Sequence, residues 1–253
     1  MNIQIATIGL TPEVVRTGLQ KVLPDKLYII HTKDEELKSD QKVETNATNL
    51  KKEIESDYKI QVILRKVEKF DSRGVIYQIL QIISEEKKAN KKLQKKDFTI
   101  NITGGTKAMV AGAACAAYLA QTKMYYVLHP DEAKGREMII ELPVLSRAEN
   151  NNQGKTEKTS SFILEKISML SPTNNGILLE KLNDGPLRNN KIPANGLSYH
   201  LKKLEEKKLI TVNLGWKYRK DNIEKINKKL RTIEITELGK YYADFPDLIG
   251  EEL

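Results

Sequence analysis

Strand-like and helix-like segments alternate along the first 145 residues, and this alternation restricts the fold more than any other feature of the sequence. Asn2–Ile8 has the length and composition of a buried strand, whereas Val43–Tyr58 and Ser72–Lys87 carry apolar residues at helical spacing. Repeated strand–helix units predict a mostly parallel sheet with right-handed crossovers and helices on its faces. A last strand over residues 138–145 is expected at an antiparallel edge. We therefore assign residues 1–146 to an α/β domain.

The turn Thr103–Lys107 has the composition of an anion-binding turn. It lies between the strand-like Phe98–Ile102 and the helix-like Ala108–Ala120. Gly104 and Gly105 can adopt positive φ and leave backbone N–H groups uncovered, and the following helix N-terminus adds unpaired donors. The spacing matches neither the Walker A loop nor the dinucleotide fingerprint. The turn, with the Thr106 hydroxyl and the Lys107 charge, predicts a seat for a phosphodiester; the alternative is a tight structural turn with a solvated lysine.

A second turn, Gly9–Pro12, follows the first strand. Thr11 suits an N-cap and Pro12 suits the first helical position, so helix capping alone could explain both residues. Ligands of open parallel sheets bind beyond the carboxyl ends of the strands, near the point where strand order reverses. If the two turns follow neighbouring strands, two helix N-termini converge on the same anion.

Three further polar residues are expected at the same rim of the sheet. His31 closes the second strand, Asp71 follows the third, and His129 closes the fifth. Asp71 could accept a hydrogen bond from a ribose or adenine, or it could cap the next helix, and a lone histidine at a strand end is commonly structural. No paired-ligand spacing supports zinc, so no metal site or cofactor is expected.

The C-terminal part of the chain is predicted to be a basic winged helix-turn-helix domain. Residues 147–160 are polar and are interpreted as a linker, and residues 161–253 as three helices followed by a two-stranded wing. The window 186–231 contains thirteen Lys and Arg residues against four Asp and Glu. In Ala194–Lys208, three leucines at helical spacing predict a buried stripe.

The opposite face of that helix, together with the wing, could contact double-stranded DNA. Asn and Ser side chains can read base edges, and Lys and Arg suit phosphates. The candidate DNA-binding residues are Asn195, Ser198, Tyr199, Lys202, Lys203, Lys217, Arg219 and Lys220. The alternatives are a solvated helix with an ordinary charged loop, or a module that binds protein.

Bulk properties indicate a cytoplasmic protein with an acidic partner. The net charge is +8, and no apolar run approaches the roughly 20 residues of a membrane helix. The N-terminus does not have the zones of a signal peptide. The single cysteine, Cys115, excludes an intrachain disulfide and is expected to be a small core residue.

The two turns, Thr11-Pro12 and Thr103–Lys107, in an α/β domain followed by a winged helix, resemble the CARF–winged-helix regulators, which are CRISPR-associated Rossmann-fold proteins. The resemblance covers both predicted domains, although its specific motifs are few. It implies a Rossmann-like homodimer that binds a cyclic oligoadenylate, often cyclic tetra-adenylate, across its two-fold axis. By resemblance, ligand contact is carried over to Thr11, Pro12, Gly104, Gly105, Thr106 and Lys107.

Three hypotheses on function follow from the sequence and the resemblance. The first is a transcriptional regulator whose DNA affinity changes when the ligand binds. The second is a metal-independent ring nuclease, in which Thr11 or Thr106 positions a ribose 2′-hydroxyl for in-line attack and Lys107 stabilises charge developing on the phosphate. The third is a ligand-gated scaffold that binds a protein partner and no DNA. The sequence does not distinguish ligand sensing from slow cleavage.

Overall fold

The computed structural model divides the chain into two units, Met1–Arg147 and Ala148–Leu253. It describes residues 1–21, 23–34, 42–134, 137–143, 155–184, 192–213, 217–220, 223–226 and 232–246. Residues 147–154 of the predicted linker lie outside this description, and residues 155–160 belong to a helix.

The N-terminal unit alternates strands and helices in the order that the sequence predicts, apart from a short helix between the last two strands that was not predicted. Its elements are β1 (Ile3–Thr7), α1 (Glu13–Lys21), β2 (Lys26–Thr32), α2 (Val43–Tyr58), β3 (Gln61–Val67), α3 (Ser72–Ala89), β4 (Phe98–Asn101), α4 (Lys107–Ala120), β5 (Lys123–Val127), α5 (Pro130–Ala133) and β6 (Ile139–Leu142).

The six strands form one sheet in the order β3-β2-β1-β4-β5-β6. The first five strands are parallel, and β6 pairs antiparallel with β5. All five residues of β1 are buried, as expected for a central strand covered on both faces. This mostly parallel, Rossmann-like arrangement confirms the predicted fold of the N-terminal part. The strand order reverses between β1 and β4, which places the expected crevice beyond the ends of these two strands.

Helix α4 packs against α3 through small side chains. A Cβ at Gly112 would lie 2.6 Å from the carbonyl oxygen of Ser72, so the two helices approach closely at this glycine. Cys115, in contrast, is exposed, and the expectation that it is a core residue is wrong. The buried face of α4 runs through Met109, Gly112, Ala113, Ala116 and Ala117, and Cys115 lies on the other side of the helix.

The C-terminal unit combines helices with short antiparallel strands. Its elements are α6 (Lys155–Leu170), β7 (Thr173–Asn174), α7 (Asn175–Asn183), α8 (Ala194–Glu206), β8 (Ile210–Asn213), β9 (Lys217–Lys220), β10 (Ile223–Ile226), β11 (Thr232–Ile235) and α9 (Glu237–Asp244). Strands β7, β11 and β8 form a three-stranded sheet, and β9 and β10 form a hairpin.

The predicted leucine stripe of α8 is buried. Leu197, Leu201 and Leu204 join a core with residues of α6, α7 and β11. The sequence did not predict β7, because a two-residue strand has no readable periodicity. The sequence also predicts a short helix over Leu187–Ile192, of which residues 187–191 lie outside the described part of the chain. Within the described residues, no helix combines the length and the apolar composition needed to cross a membrane.

Candidate functional site

The turn after β1 and the turn after β4 touch through their backbones. A Cβ built on Gly9 would lie 2.9 Å from the backbone nitrogen of Gly105. A Cβ on Gly104 would overlap the carbonyl oxygen of Thr7. Glycine is therefore required sterically at both turns. We call the contacting backbone of Gly9, Gly104 and Gly105 the glycine ridge. Helices α1 and α4 begin shortly after it.

Gly105 gives the second turn its shape. Its φ of 96° lies in the region that side chains rarely adopt, and it turns the chain directly into α4. Thr106 is the N-cap of α4, since its hydroxyl oxygen accepts a hydrogen bond from the Met109 N–H at 3.3 Å. The same hydroxyl donates to the carbonyl oxygen of Lys69 at 2.8 Å, which ties the segment after β3 to the start of α4. The first N–H groups of α4 carry partial positive charge.

Asn101, the last residue of β4, connects the two turns. Its Nδ2 donates to the carbonyl oxygen of Val14 in α1 at 3.0 Å. Its Oδ1 accepts from the backbone N–H of Thr103 at 3.0 Å and from the Thr103 hydroxyl at 2.7 Å. The Thr103 hydroxyl oxygen also accepts from the Val127 N–H at 2.8 Å. Asn101 is fully buried, so these bonds are shielded from water and position both turns.

Two clefts lie on opposite sides of the glycine ridge. The β2-side cleft has a volume of about 300 Å³ and is lined by Ile8, Gly9, Leu10, Thr32, Lys33, Val43, Lys69, Gly105, Thr106 and Met109. The β5-side cleft has a volume of about 410 Å³ and is lined by Gly9, Leu10, Thr11, Val14, Thr103, Gly104, Gly105, Tyr126, Val127 and His129. Both volumes fall at the lower end of the range for small-molecule pockets, about 300–1,000 Å³.

The charge of the β2-side cleft is positive. Lys33 and Lys69 line it, and exposed Lys107 follows Thr106 on the first turn of α4. Among the described residues that line the two clefts, none carries a carboxylate. Glu44 follows Val43 of the β2-side cleft, and the Lys66 ammonium, which donates to its carboxylate at 3.0 Å, holds the pKa of Glu44 below its usual value. The cleft therefore offers an anion the two lysines that line it, with Lys107 next to a lining residue along the chain.

Most of the residues that the sequence predicts for ligand contact lie together at these turns. Thr11, Gly104 and His129 line the β5-side cleft, Thr106 lines the β2-side cleft, and Gly105 lines both. The Pro12 carbonyl accepts hydrogen bonds from the N–H groups of Val15 and Arg16, at 3.0 and 3.4 Å, so α1 starts one residue later than expected. Pro12 directly precedes α1 and Lys107 is the first residue of α4, and neither residue lines a cleft.

His31 and Asp71 are not brought to the clefts. His31 is only 4% exposed, its Nδ1 lies 3.1 Å from the Thr32 carbonyl oxygen, and it lines neither cleft. Asp71 is the N-cap of α3 and accepts from the Gly74 N–H at 2.9 Å. Of the two interpretations of Asp71, the capping role is the one whose contact is present. In the described part of the chain, no group of His, Cys, Asp and Glu side chains could hold a metal ion.

Sequence reasoning missed Lys33, Lys69 and Asn101. Lys33 and Lys69 come one and two residues after the ends of β2 and β3, at the rim where ligands of such sheets bind. Their positions after the strand ends could therefore have been recognised from the sequence. They were missed because other charged residues lie close to each of them. Asn101 could have been noticed as an amide between the apolar residues Ile100 and Ile102 at the end of β4.

On the C-terminal unit, α8 exposes the predicted polar face. Asn195, Ser198, Tyr199 and Lys202 are exposed, and Lys203 is half-buried. The Ser198 hydroxyl donates to the Ala194 carbonyl oxygen at 3.1 Å, and Lys202 lies 3.8 Å from Glu206. Lys217, Arg219 and Lys220 belong to β9, but their side chains lie outside the described part.

A family described as "HFX_2341_N:-like, N-terminal" matches residues 2–133, just over half of the chain. A comparison with curated proteins gives no match.

Among solved structures, Csm6 from Enterococcus italicus, bound to cyclic hexa-2′-fluoro-hexa-dAMP, matches at 15% identity and a TM-score of 0.47, over 82% of this chain and 53% of that one. Can2 from Sulfobacillus thermosulfidooxidans, in complex with cyclic tetra-adenylate, matches at 12% identity and a TM-score of 0.42, over 96% of this chain and 64% of that one. The chain thus spans about half to two thirds of these proteins. TM-scores below 0.5 carry no argument about the function of this chain.

Proposed function

The chain belongs to the HFX_2341_N:-like, N-terminal family, and from this premise we propose that its N-terminal unit is a sensor domain that binds a cyclic oligoadenylate. The observation that carries the proposal is the contact between the turns after β1 and β4. It produces a lysine-rich crevice, without carboxylates among its described lining residues, beyond the carboxyl ends of two adjacent parallel strands. Backbone donors at two helix N-termini suit phosphodiester oxygens. The choice of a cyclic oligoadenylate comes from the sequence resemblance of these same turns.

The size of the clefts supports a homodimer as the binding form. Each cleft has room for about one nucleotide, so one copy of the unit does not enclose a ring of four. An isologous dimer would repeat the same turns across a two-fold axis and face a symmetric ring from both sides.

We further propose that the C-terminal unit is a winged helix-turn-helix domain that binds double-stranded DNA, and that ligand binding changes its affinity. The exposed polar face of α8 supports this assignment, because its buried leucines leave Asn195, Tyr199 and Lys202 to solvent. A ligand shifts such an equilibrium only through different affinities for the two states. The result would be a regulator of transcription.

Isothermal titration calorimetry with cyclic tetra-adenylate tests the sensor proposal. Lys107→Ala should weaken binding about tenfold, because a lysine contact to phosphate is a charge-assisted hydrogen bond. Lys91→Ala is the matched control, since Lys91 is an exposed lysine between α3 and β4, at the opposite edge of the sheet. Equal affinity of wild type and Lys107→Ala would remove Lys107 from the site. Absence of binding by wild type to any cyclic oligoadenylate would overturn the sensor proposal.

Cleavage of the ligand remains a separate hypothesis on the same residues. The Thr106 hydroxyl donates its proton to the Lys69 carbonyl, so in this arrangement it does not position a ribose hydroxyl. Exposed Thr11 and Lys107 remain as candidates. Chromatography of cyclic tetra-adenylate after hours with excess protein tests this activity, and an intact ring would exclude it.

A further inference from the structure

Among the residues that the structure describes, no large apolar side chain is more exposed than that of Phe70, at 78%. Phenylalanine is among the residues most often buried, and its ring has a large apolar area. Phe70 directly follows Lys69, which lines this cleft. On the other wall, Leu10 is 51% exposed and lines both clefts. A large exposed aromatic side chain therefore follows a lysine of the cleft along the chain, and a second exposed apolar side chain, that of Leu10, lines the cleft itself.

The backbone on both sides of Phe70 is fixed although its ring is exposed. The Lys69 carbonyl accepts the Thr106 hydroxyl at 2.8 Å, and the Asp71 N–H donates to the Glu68 carbonyl at 3.2 Å. The Asp71 side chain in turn caps α3. The backbone that carries the ring, between β3 and α3, is therefore tied to the start of α4 through the Lys69 carbonyl.

One face of the Phe70 ring is already occupied by a cation. The Lys69 Nζ lies 5.5 Å from the ring centroid, within the range of a cation–π interaction. A phosphate alone gains nothing from an exposed aromatic ring, whereas a nucleotide has a flat base beside each phosphate. Stacking of bases on aromatic side chains is a general means of binding single-stranded nucleic acid. The Lys69 ammonium suits the phosphate of a nucleotide, and the Phe70 ring suits its base.

We propose that Phe70 is the stacking platform for an adenine base of the ligand, next to a phosphate held by Lys69 and the start of α4. This inference rests on the proposed function and names a base-binding subsite within it. Single exposed apolar residues are common on protein surfaces, so the position of Phe70 beside Lys69 is what carries the assignment.

Calorimetry with cyclic tetra-adenylate on the full chain tests the platform. Phe70→Ala should weaken binding about tenfold or more, Phe70→Leu should weaken it nearly as much, and Phe70→Trp should retain it. Tyr58→Ala is the matched control, because Tyr58 is 40% exposed at the end of α2, at the opposite edge of the sheet. Thermal melts should be unchanged for all four variants, since the substituted side chains are exposed.

A fluorescence measurement gives an independent readout of stacking. The only tryptophan of the chain is Trp216, so Phe70→Trp in a Trp216→Phe background carries one reporter. Its emission should be quenched on addition of cyclic tetra-adenylate. Unchanged affinity of Phe70→Ala, or no quenching of the reporter while the ligand binds, would overturn the platform and leave the sensor proposal intact. If wild type binds no cyclic oligoadenylate, both proposals fail together.

Discussion

Asn101 holds hydrogen-bonding groups of α1 and of the turn after β4 with one buried amide. Its Nδ2 reaches the Val14 carbonyl in α1, and its Oδ1 accepts from two groups of Thr103. Since neither oxygen nor nitrogen of this amide is exposed to water, each partner depends on it. The geometry of the crevice is therefore set by a residue that does not line either cleft.

We predict that Asn101→Ala destabilises the protein by about 2–3 kcal/mol, because it leaves buried polar groups without a partner. It should also weaken cyclic tetra-adenylate binding, since the turns after β1 and β4 lose their common anchor. Urea denaturation and calorimetry measure the two effects. Asn90→Ala is the control: Asn90 accepts one bond, from the Lys92 N–H at 3.1 Å at an exposed site, and its loss should cost less than about 1 kcal/mol. Equal costs for both variants would contradict the anchoring role.

For individual residues, the sequence predicted which residues form the turns better than it predicted the hydrogen bonds that they make. The two glycines and the threonines could be identified because a turn between strand and helix requires them. The role of Asp71 was not decidable, because its carboxylate can bond either to the nearby backbone or to a ligand, and tertiary contacts select between the two. Cys115 was misplaced because the alanine-rich α4 has small residues on every face, so its composition gives no clear buried side.

The helices α6 and α8 share a buried polar contact in the C-terminal unit. Ser160 Oγ lies 2.8 Å from His200 Nδ1, and the exposed fractions of the two residues are 0% and 8%. Burial, and secondarily the nearby charge of Lys203, lower the pKa of His200 below its usual value. The Tyr199 ring also contacts this histidine edge-on, with 5.5 Å between the ring centroids.

This contact predicts loss of stability at acidic pH. The folded pKa of His200 lies below the unfolded value of about 6.5, so the unfolded chain binds the proton more tightly. Its contribution is fully present above pH 6.5 and is lost as the pH falls through the folded pKa. The free energy of unfolding can be measured at pH 7.5 and 5.5 by Trp216 fluorescence. The difference between the two pH values should be smaller for His200→Gln than for wild type.

His129→Gln is the matched control for that measurement, because the side chain of His129 is 61% exposed. It should leave the pH dependence of the Trp216 transition unchanged. If the stability of His200→Gln depends on pH as strongly as that of wild type, the pH dependence originates from another group in the C-terminal unit.

Element types were predictable where the periodicity was long. The bounds predicted for α2 agree with the structure, and those of α3 and α4 differ by two residues or fewer at each end. The buried stripe of α8 was equally readable, because three leucines repeat over two turns. Strand β7 could not be predicted, because two residues show no periodicity and the strand is defined only by its pairing with β11.

For the whole molecule, the central prediction concerns DNA. Binding of the full chain to DNA from its own promoter region should weaken steeply between about 50 and 200 mM salt, because lysine contacts to phosphate release counterions. Lys202→Ala should reduce the slope of log affinity against log salt by about 1, uniformly across sequences. Gel-shift titrations at several salt concentrations measure both quantities.

Lys52→Ala, an exposed lysine of α2, is the control and should leave the slope unchanged. Asn195→Ala should instead reduce the preference for the promoter over random DNA, as expected for a base contact. Salt-insensitive or undetectable binding would favour a protein-binding scaffold. Repeating the titration with cyclic tetra-adenylate shows whether the ligand raises or lowers DNA affinity.

The contact between Gly9 and Gly105 has a mechanical consequence. No side chain separates the two turns, and each is continuous with a strand in the middle of the sheet. A ligand that separated the two turns would have to break the hydrogen bonds between β1 and β4. A ligand that binds above the turns would leave these bonds intact. Binding of the proposed ligand should therefore leave the contact between the two turns unchanged.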